Sequence, residues 1–139
     1  MAHMTPAEAE TILKDHFADW VRDLDLAIID VDATCLGMSI AFSPRLCRTG
    51  GIVCGQALIA AADTAMVIGL AAALGGVRTM TTVDLTINFM RPIKGEDVRL
   101  RAAVRRLGRS LAFCTTDIEG ARSARPAAFA TGTYAILAE

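Results

Sequence analysis

The sequence predicts an α+β domain in which one long, nearly uncharged helix is wrapped by a curved antiparallel sheet of five to six strands. Two features carry that expectation. The 26 residues from Gly51 to Gly76 hold a single charge, the carboxylate of Asp63. They are rich in Ala and Leu, free of Pro and bounded by glycines, which is the composition of one helix from about 54 to 74. Beyond residue 77, apolar residues recur at every second position through four runs separated by short turns, and strands joined so closely must be antiparallel neighbours. A helix apolar on nearly all sides has to be covered on most of them, and a sheet curled around it does so. At 139 residues the chain forms one domain, 1–139, with room for a sizeable core.

The elements follow in order. Thr5-Pro6-Ala7-Glu8 is a capping box with Pro at the first helical position, so a helix begins near residue 5. Ile12, Leu13, Phe17, Trp20, Val21 and Leu24 recur at three-to-four spacing and carry that helix to about residue 24, with these side chains on one face. A short strand pair comes next, in which Leu36, Met38, Ile40 and Phe42 alternate with other residues until Ser43-Pro44 ends the run. The central helix spans about 30 Å at 1.5 Å per residue. After Gly75-Gly76, Val83, Leu85, Ile87 and Phe89 alternate with Thr82, Asp84, Thr86 and Asn88. Val98, Leu100, Ala102 and Val104 alternate with Arg99, Arg101, Ala103 and Arg105, and runs near 110–119 and 126–137 behave alike. Lys94-Gly95, Gly108 and Glu119-Gly120 mark the turns between them.

A net charge of −1 implies no general affinity for nucleic acid. The charge is unevenly placed. Residues 1–32 hold two basic side chains against eight acids, whereas residues 91–125 hold nine basic side chains against four acids. A basic surface on a neutral domain suits an anionic ligand such as a phosphorylated cofactor, although a solvated strand face balancing an acidic helix gives the same pattern. Cys35, Cys47, Cys54 and Cys114 show no metal-binding spacing, and only His3 and His16 are present, so no metal is expected. The start is polar and acidic with no apolar leader, and the thiols have no evident pairing, which points to the cytoplasm. The central helix has the length of a membrane span. A central Asp opposes insertion by roughly 2.5–3.5 kcal/mol, and Gln56 adds to that, so no membrane is expected.

A carboxylate in so apolar a helix is costly to bury unless it is paired or used. Asp63 is therefore either a structural acceptor or a functional acid. Cys54 lies where a helix N-terminus lowers a thiol's pKa, but no His is near it in sequence, and a small packing residue is the simpler reading. His16 reads as a surface or interface residue, and Asp84 shares a strand face with Thr82, where it either borders the site or pairs with an arginine across the sheet.

This order of elements, with GGIVCGQALIAAADTA followed by TTVDLTINFMRP and RRLGRSLAF, resembles the hotdog-fold acyl-CoA thioesterases. The likeness runs from about residue 34 to the C-terminus and is closest to the PaaI-like, phenylacetic-acid-degradation branch. The resemblance implies hydrolysis of an acyl-CoA thioester by a homodimer or dimer of dimers, with coenzyme A as part of the substrate and no separate cofactor. It gives Asp63 the role of general base or nucleophile at the thioester carbon, the Gly55 amide that of donor to the thioester oxygen, and Thr82 that of holding the water or the acid. Arg91, Arg106 and Arg109 correspond to the residues along the coenzyme A phosphates, with Asn88, Pro92, Gly108 and Ser110 beside them in the same motifs. The chain departs from the branch at three positions. His-Gly-Gly at the helix start is here Cys54-Gly55-Gln56, and an Asn six residues before that His is here Arg48. Gln56 would then line the acyl pocket, and Arg48 is either a substrate contact or a solvated loop residue.

Helix geometry adds a constraint. Asp63 lies eight residues after Gly55, about 12 Å along the axis at 1.5 Å per residue. One thioester carbon cannot touch both, so the two groups act together only across two subunits, as a two-fold dimer allows. The competing function is a non-catalytic acyl-CoA or aromatic-ligand binding protein on the same scaffold, motivated by the missing Asn and His. A dehydratase or hydratase is disfavoured, because such sites pair a His with an acid and no His follows residue 16.

Overall fold

The computed structural model describes residues 3–138. Two short helices, α1 (Pro6–His16) and α2 (Asp19–Arg22), precede the antiparallel strands β1 (Leu26–Val31) and β2 (Cys35–Ile40). A two-residue hairpin, β3 (Cys47–Arg48) with β4 (Ile52–Val53), leads into the long helix α3 (Gly55–Leu74). The strands β5 (Met80–Phe89), β6 (Val98–Leu107), β7 (Leu111–Gly120) and β8 (Pro126–Ile136) complete an antiparallel sheet of six in the order β1-β2-β6-β7-β8-β5. The curved sheet packs against α3, which is the α+β hotdog architecture.

The capping box forms: the Glu8 amide donates to Thr5 Oγ1 at 3.2 Å and the Thr5 amide to Glu8 Oε1 at 3.3 Å. The helix it starts does not continue to residue 24, as the spacing suggested. It ends at His16, Phe17 is extended at φ −115 and ψ 153, and one further turn forms α2. The Arg22 guanidinium donates to the Lys14 carbonyl at 2.9 Å, satisfying an orphan acceptor of the last turn of α1. The break also resets the rotational phase, so Val21 and Leu24 are buried while Trp20 is left 61% exposed. Phe42 likewise lies beyond β2, where its amide donates to Asp97 Oδ1 at 2.7 Å, and its ring is partly exposed.

α3 ends in a Schellman arrangement: Gly75 adopts φ 80, its amide donates to the Ala72 carbonyl, and the Gly76 amide donates to Ala71. By length and composition α3 could cross a membrane, yet most of it is buried within the chain's own fold. Ala57, Ala61, Ala62 and Ala65 keep the contact face slim, while Met66, Ile68 and Leu70 pack into the core with Leu36, Met38 and Ile40. Each of those three fully buried β2 side chains contributes about 1.5–3 kcal/mol of transfer free energy.

One irregularity positions the site. In β5, Thr82 lies opposite Tyr134 and Asp84 opposite Thr133, so Val83 is an extra, bulged residue. The bulge reverses the alternation expected for this strand. Thr82 turns to the helix side, Val83 is 58% exposed, and Asp84 lies on the opposite face from Thr82.

Candidate active site

Asp63 sits midway along α3, half-buried, and its carboxylate is held from the sheet. Tyr134 of β8 donates its phenolic hydrogen to Asp63 Oδ1 at 2.8 Å, and Thr82 of β5 donates to the same oxygen at 3.3 Å. The Thr82 contact depends on the bulge, since an unbroken ladder would set Val83 opposite Tyr134 and turn the hydroxyl away. Tyr134 is completely buried. Burial first, then the Asp63 charge and the hydrogen bond to it, push the Tyr134 phenol far above its ordinary value, so it stays protonated and acts as a donor. Cys114, opposite Gly132 in the neighbouring strand, is pushed up to about 11 by burial, which makes it an inert thiol near neutral pH.

Asp63 opens onto a cleft of about 550 Å³. Ile12 and Phe17 wall it on one side, Val67 and Ala71 of α3 on another, and Val77 and Met80 at the entry to β5. His16, Arg78 and Thr79 add polar groups. The cleft is thus mostly apolar around a single carboxylate with fixed hydroxyl partners, the composition of a small-molecule site.

A second cleft, of about 460 Å³, lies at the N-terminus of α3. Gly55, Leu58, Arg48, Phe89, Arg91 and Pro92 line it. No side chain caps this helix end, so its first amides and the positive end of its dipole are available to an electron-rich oxygen. A side chain at position 55 would meet the Phe89 ring at 3.1 Å, so glycine lets that ring lie over the helix start.

Within one chain these two clefts are separate, and the structure does not bring Asp63 and Gly55 to a common point. The other residues singled out in the sequence divide accordingly. Arg48 and Arg91 line the Gly55 cleft, where their guanidinium groups donate to the carbonyls of Thr49 and Pro126, each at 3.3 Å. Pro92 lies beside them, and Gln56 is exposed. Gly108, Arg109 and Ser110 form the β6–β7 turn, where the Gly108 amide donates to Leu111 and the Ser110 carbonyl accepts from Ile136, each at 2.8 Å. This turn adjoins the Tyr134 end of β8, so it is at the Asp63 end of the sheet. Asn88 lies opposite Phe129, on the face away from Gly55. A second bulge, at Arg105, sets Arg106 opposite Phe113 on that same outer face. Asp84, on that face too, accepts from Thr86 at 3.4 Å.

His16, expected as a surface or interface residue, is exposed and lies at the end of α1, where it lines the Asp63 cleft. Nothing in the sequence points to Tyr134. It is the only tyrosine of the chain, but only the pairing of β8 with β5 and the packing on α3 reveal its partner. Among the described residues no three His, Cys, Asp or Glu side chains gather in a metal-binding group.

No curated protein matches the sequence. Among solved structures, the chain is similar to a Silicibacter protein provisionally described as a thioesterase, at 25% identity and a TM-score of 0.88 over 99% of this chain and 96% of the other. It is similar also to zebra fish thioesterase superfamily member 2, at 20% identity and a TM-score of 0.86 over 96% and 99% of the two chains. A thioesterase from Haemophilus influenzae, at 18% identity, covers 98% and 92% with a TM-score of 0.86. At such identities the last two speak for the fold alone. The model of the thioesterase superfamily matches residues 50–124, from the glycines before α3 to just beyond β7 and more than half of the chain. The chain belongs to the thioesterase superfamily.

Proposed function

We propose that the protein hydrolyses an acyl-CoA thioester, in the manner of the PaaI-like branch, at a site completed by two subunits. The observation that carries this reading is Asp63: a half-buried carboxylate with two hydroxyl donors on one oxygen, facing an apolar cleft, in a chain of the thioesterase superfamily. The separation of the Asp63 and Gly55 clefts supports the two-subunit form, since a two-fold pairing can set the acid of one chain against the free amides of the other. A pairing that joins the two clefts would also gather Arg48 and Arg91 of one chain and the Arg109 turn of its partner about one substrate. A cytoplasmic enzyme fits the four free cysteines.

In the water route, Asp63 takes a proton as the water oxygen bonds to the thioester carbon, and the Gly55 amide holds the oxygen that becomes negative. Collapse expels the coenzyme A thiolate, which recovers the proton. In the covalent route the carboxylate oxygen attacks the carbon and expels the thiolate, and water then cleaves the mixed anhydride to regenerate Asp63. Both leave a free acid and coenzyme A.

The test is thiol release from a panel of short, long and aromatic acyl-CoAs, with wild type beside Asp63→Asn. Turnover should drop by orders of magnitude in the variant while fold and coenzyme A binding persist. Near-normal turnover in Asp63→Asn would sink the assignment. Ligand-induced stabilisation without turnover anywhere on the panel would favour the binding-protein reading instead.

A further inference from the structure

The two hydroxyls that reach Asp63 both end on Oδ1, and Oδ2 accepts no hydrogen bond from any described residue. The carboxylate is therefore unsymmetrical. We propose that Tyr134 is a positioning residue: by donating to Oδ1 it fixes the rotation of the Asp63 carboxylate and reserves Oδ2 for the reacting atoms. This rests on the thioesterase reading and deepens it.

A buried tyrosine needs a partner for its hydroxyl wherever it lies, so the particular surroundings matter. Two residues earlier in β8, Gly132 makes room for it. A Cβ there would lie 2.8 Å from Tyr134 Cε2, 3.0 Å from its hydroxyl oxygen and 3.0 Å from Met66 Cε. The ring occupies space that any other residue at 132 would claim. The bulge at Val83 meanwhile brings the Thr82 hydroxyl to the same oxygen, so two independent irregularities of adjacent strands converge on Oδ1. A phenol held by a packed ring has little freedom to follow a moving acceptor, which is what fixing an orientation requires. The strong upward push on its ionisation supports a donor that never competes as a base. The other titratable or charged groups around Asp63 are His16 from α1, Arg78 before β5, and Cys114 of β7 beside Tyr134.

The experiment measures kcat and KM in wild type, Tyr134→Phe and Thr82→Val and records the Asp63 carboxyl carbon of the same proteins by NMR at one neutral pH. Tyr134→Phe should lower kcat about tenfold with KM within about twofold, because an interaction used in the transition state has gone. Its Asp63 carboxyl signal should leave the wild-type position and broaden as the carboxylate turns among orientations. Thr82→Val, losing the longer contact, should change both less. As this is the only tyrosine, biosynthetic replacement by 3-fluorotyrosine alters this one phenol. That altered donor should also displace the Asp63 carboxyl signal, which keeps the test decisive even where Tyr134→Phe folds poorly. An unchanged carboxyl signal and kcat in folded Tyr134→Phe, or an unmoved signal with fluorotyrosine, overturns the proposal. The spectrum needs no turnover. A wild type silent toward every thioester would defeat the enzymatic reading separately, with the role of Tyr134 still decided by the carboxyl signal.

Discussion

Replacing Gly55 with proline should remove one hydrogen-bond donor and little else. Gly55 is the first residue of α3, where proline is favoured. Cys54 before it has φ −68 and ψ 148, the extended backbone that a residue preceding proline adopts. The added carbon would approach Phe89 Cζ at 3.1 Å, the far end of a side chain that is 51% exposed and has room to give way. If the Gly55 amide holds the developing oxyanion, its loss lowers kcat by about 10²–10³-fold while the melting temperature stays near that of wild type. Mixing then tests the geometry. Gly55→Pro and Asp63→Asn chains, unfolded and refolded together, form about half mixed dimers in a two-fold assembly, and each mixed dimer carries one intact composite site. Thiol release should recover to about one quarter of wild type. Should each site instead lie within one chain, every site in the mixture is broken and nothing is recovered. Mixed dimers seen by native mass spectrometry without recovered activity would refute the two-subunit site, and an undiminished Gly55→Pro would refute the amide's role.

Two further outcomes concern the scaffold. Gly69 is buried within α3, and a Cβ there would sit 3.7 Å from Leu36 Cβ and 4.0 Å from Ala102 Cβ, ordinary contacts. Gly69→Ala should therefore add about 1 kcal/mol by helix propensity, seen as a Tm about 3–5 °C higher, and a lower Tm would mean that the sheet lies too close. On the acid side, the amides of Thr34 and Cys35 hold Asp32 below its ordinary 3.8, and those of Ser123 and Arg122 hold Glu96 below its ordinary 4.5. Because both folded values are depressed, the stability they contribute is complete above those ordinary values and is lost as pH falls through the lower folded ones. Urea midpoints should decline on acidification in that window, and less steeply in Asp32→Asn/Glu96→Gln; an equal slope would remove these two groups from the acid response.

The parts of the molecule dictated by local chemistry were legible in the sequence. The glycine-bounded, nearly uncharged run expected to be helical from 54 to 74 is α3 at Gly55–Leu74, and the four alternating runs are β5 to β8. The acid at the centre of that helix faces a cleft, whereas the Thr82 contact runs against the period-two alternation and only the family resemblance implied it. What escaped depends on contacts between distant segments. The break after His16 follows from Arg22 reaching back to Lys14 and from the core's demand for Val21 rather than Trp20. The hairpin of Cys47–Arg48 with Ile52–Val53 is too short to leave a period. The face that Asn88 and Arg106 take, the outer one, follows from strand pairing and the Arg105 bulge and has no sign in the motifs that hold them. Tyr134 finds Asp63 across 71 positions of sequence, and no local pattern encodes such a meeting.

The extra residue in β5 also governs how related sequences should be aligned to this one. Met80–Thr82 and Asp84–Phe89 are out of phase with each other by one position, so the apolar alternation of the second stretch says nothing about which way the first one faces. A relative with a gap opposite Val83 would still present its hydroxyl beside Tyr134, because the regular ladder carries the preceding residue into that place. An ungapped relative with a regular strand would instead set the residue aligned to Val83 beside the acid, even with Thr retained one position earlier. Residue identity at column 82 is thus uninformative until the phase of the strand is known.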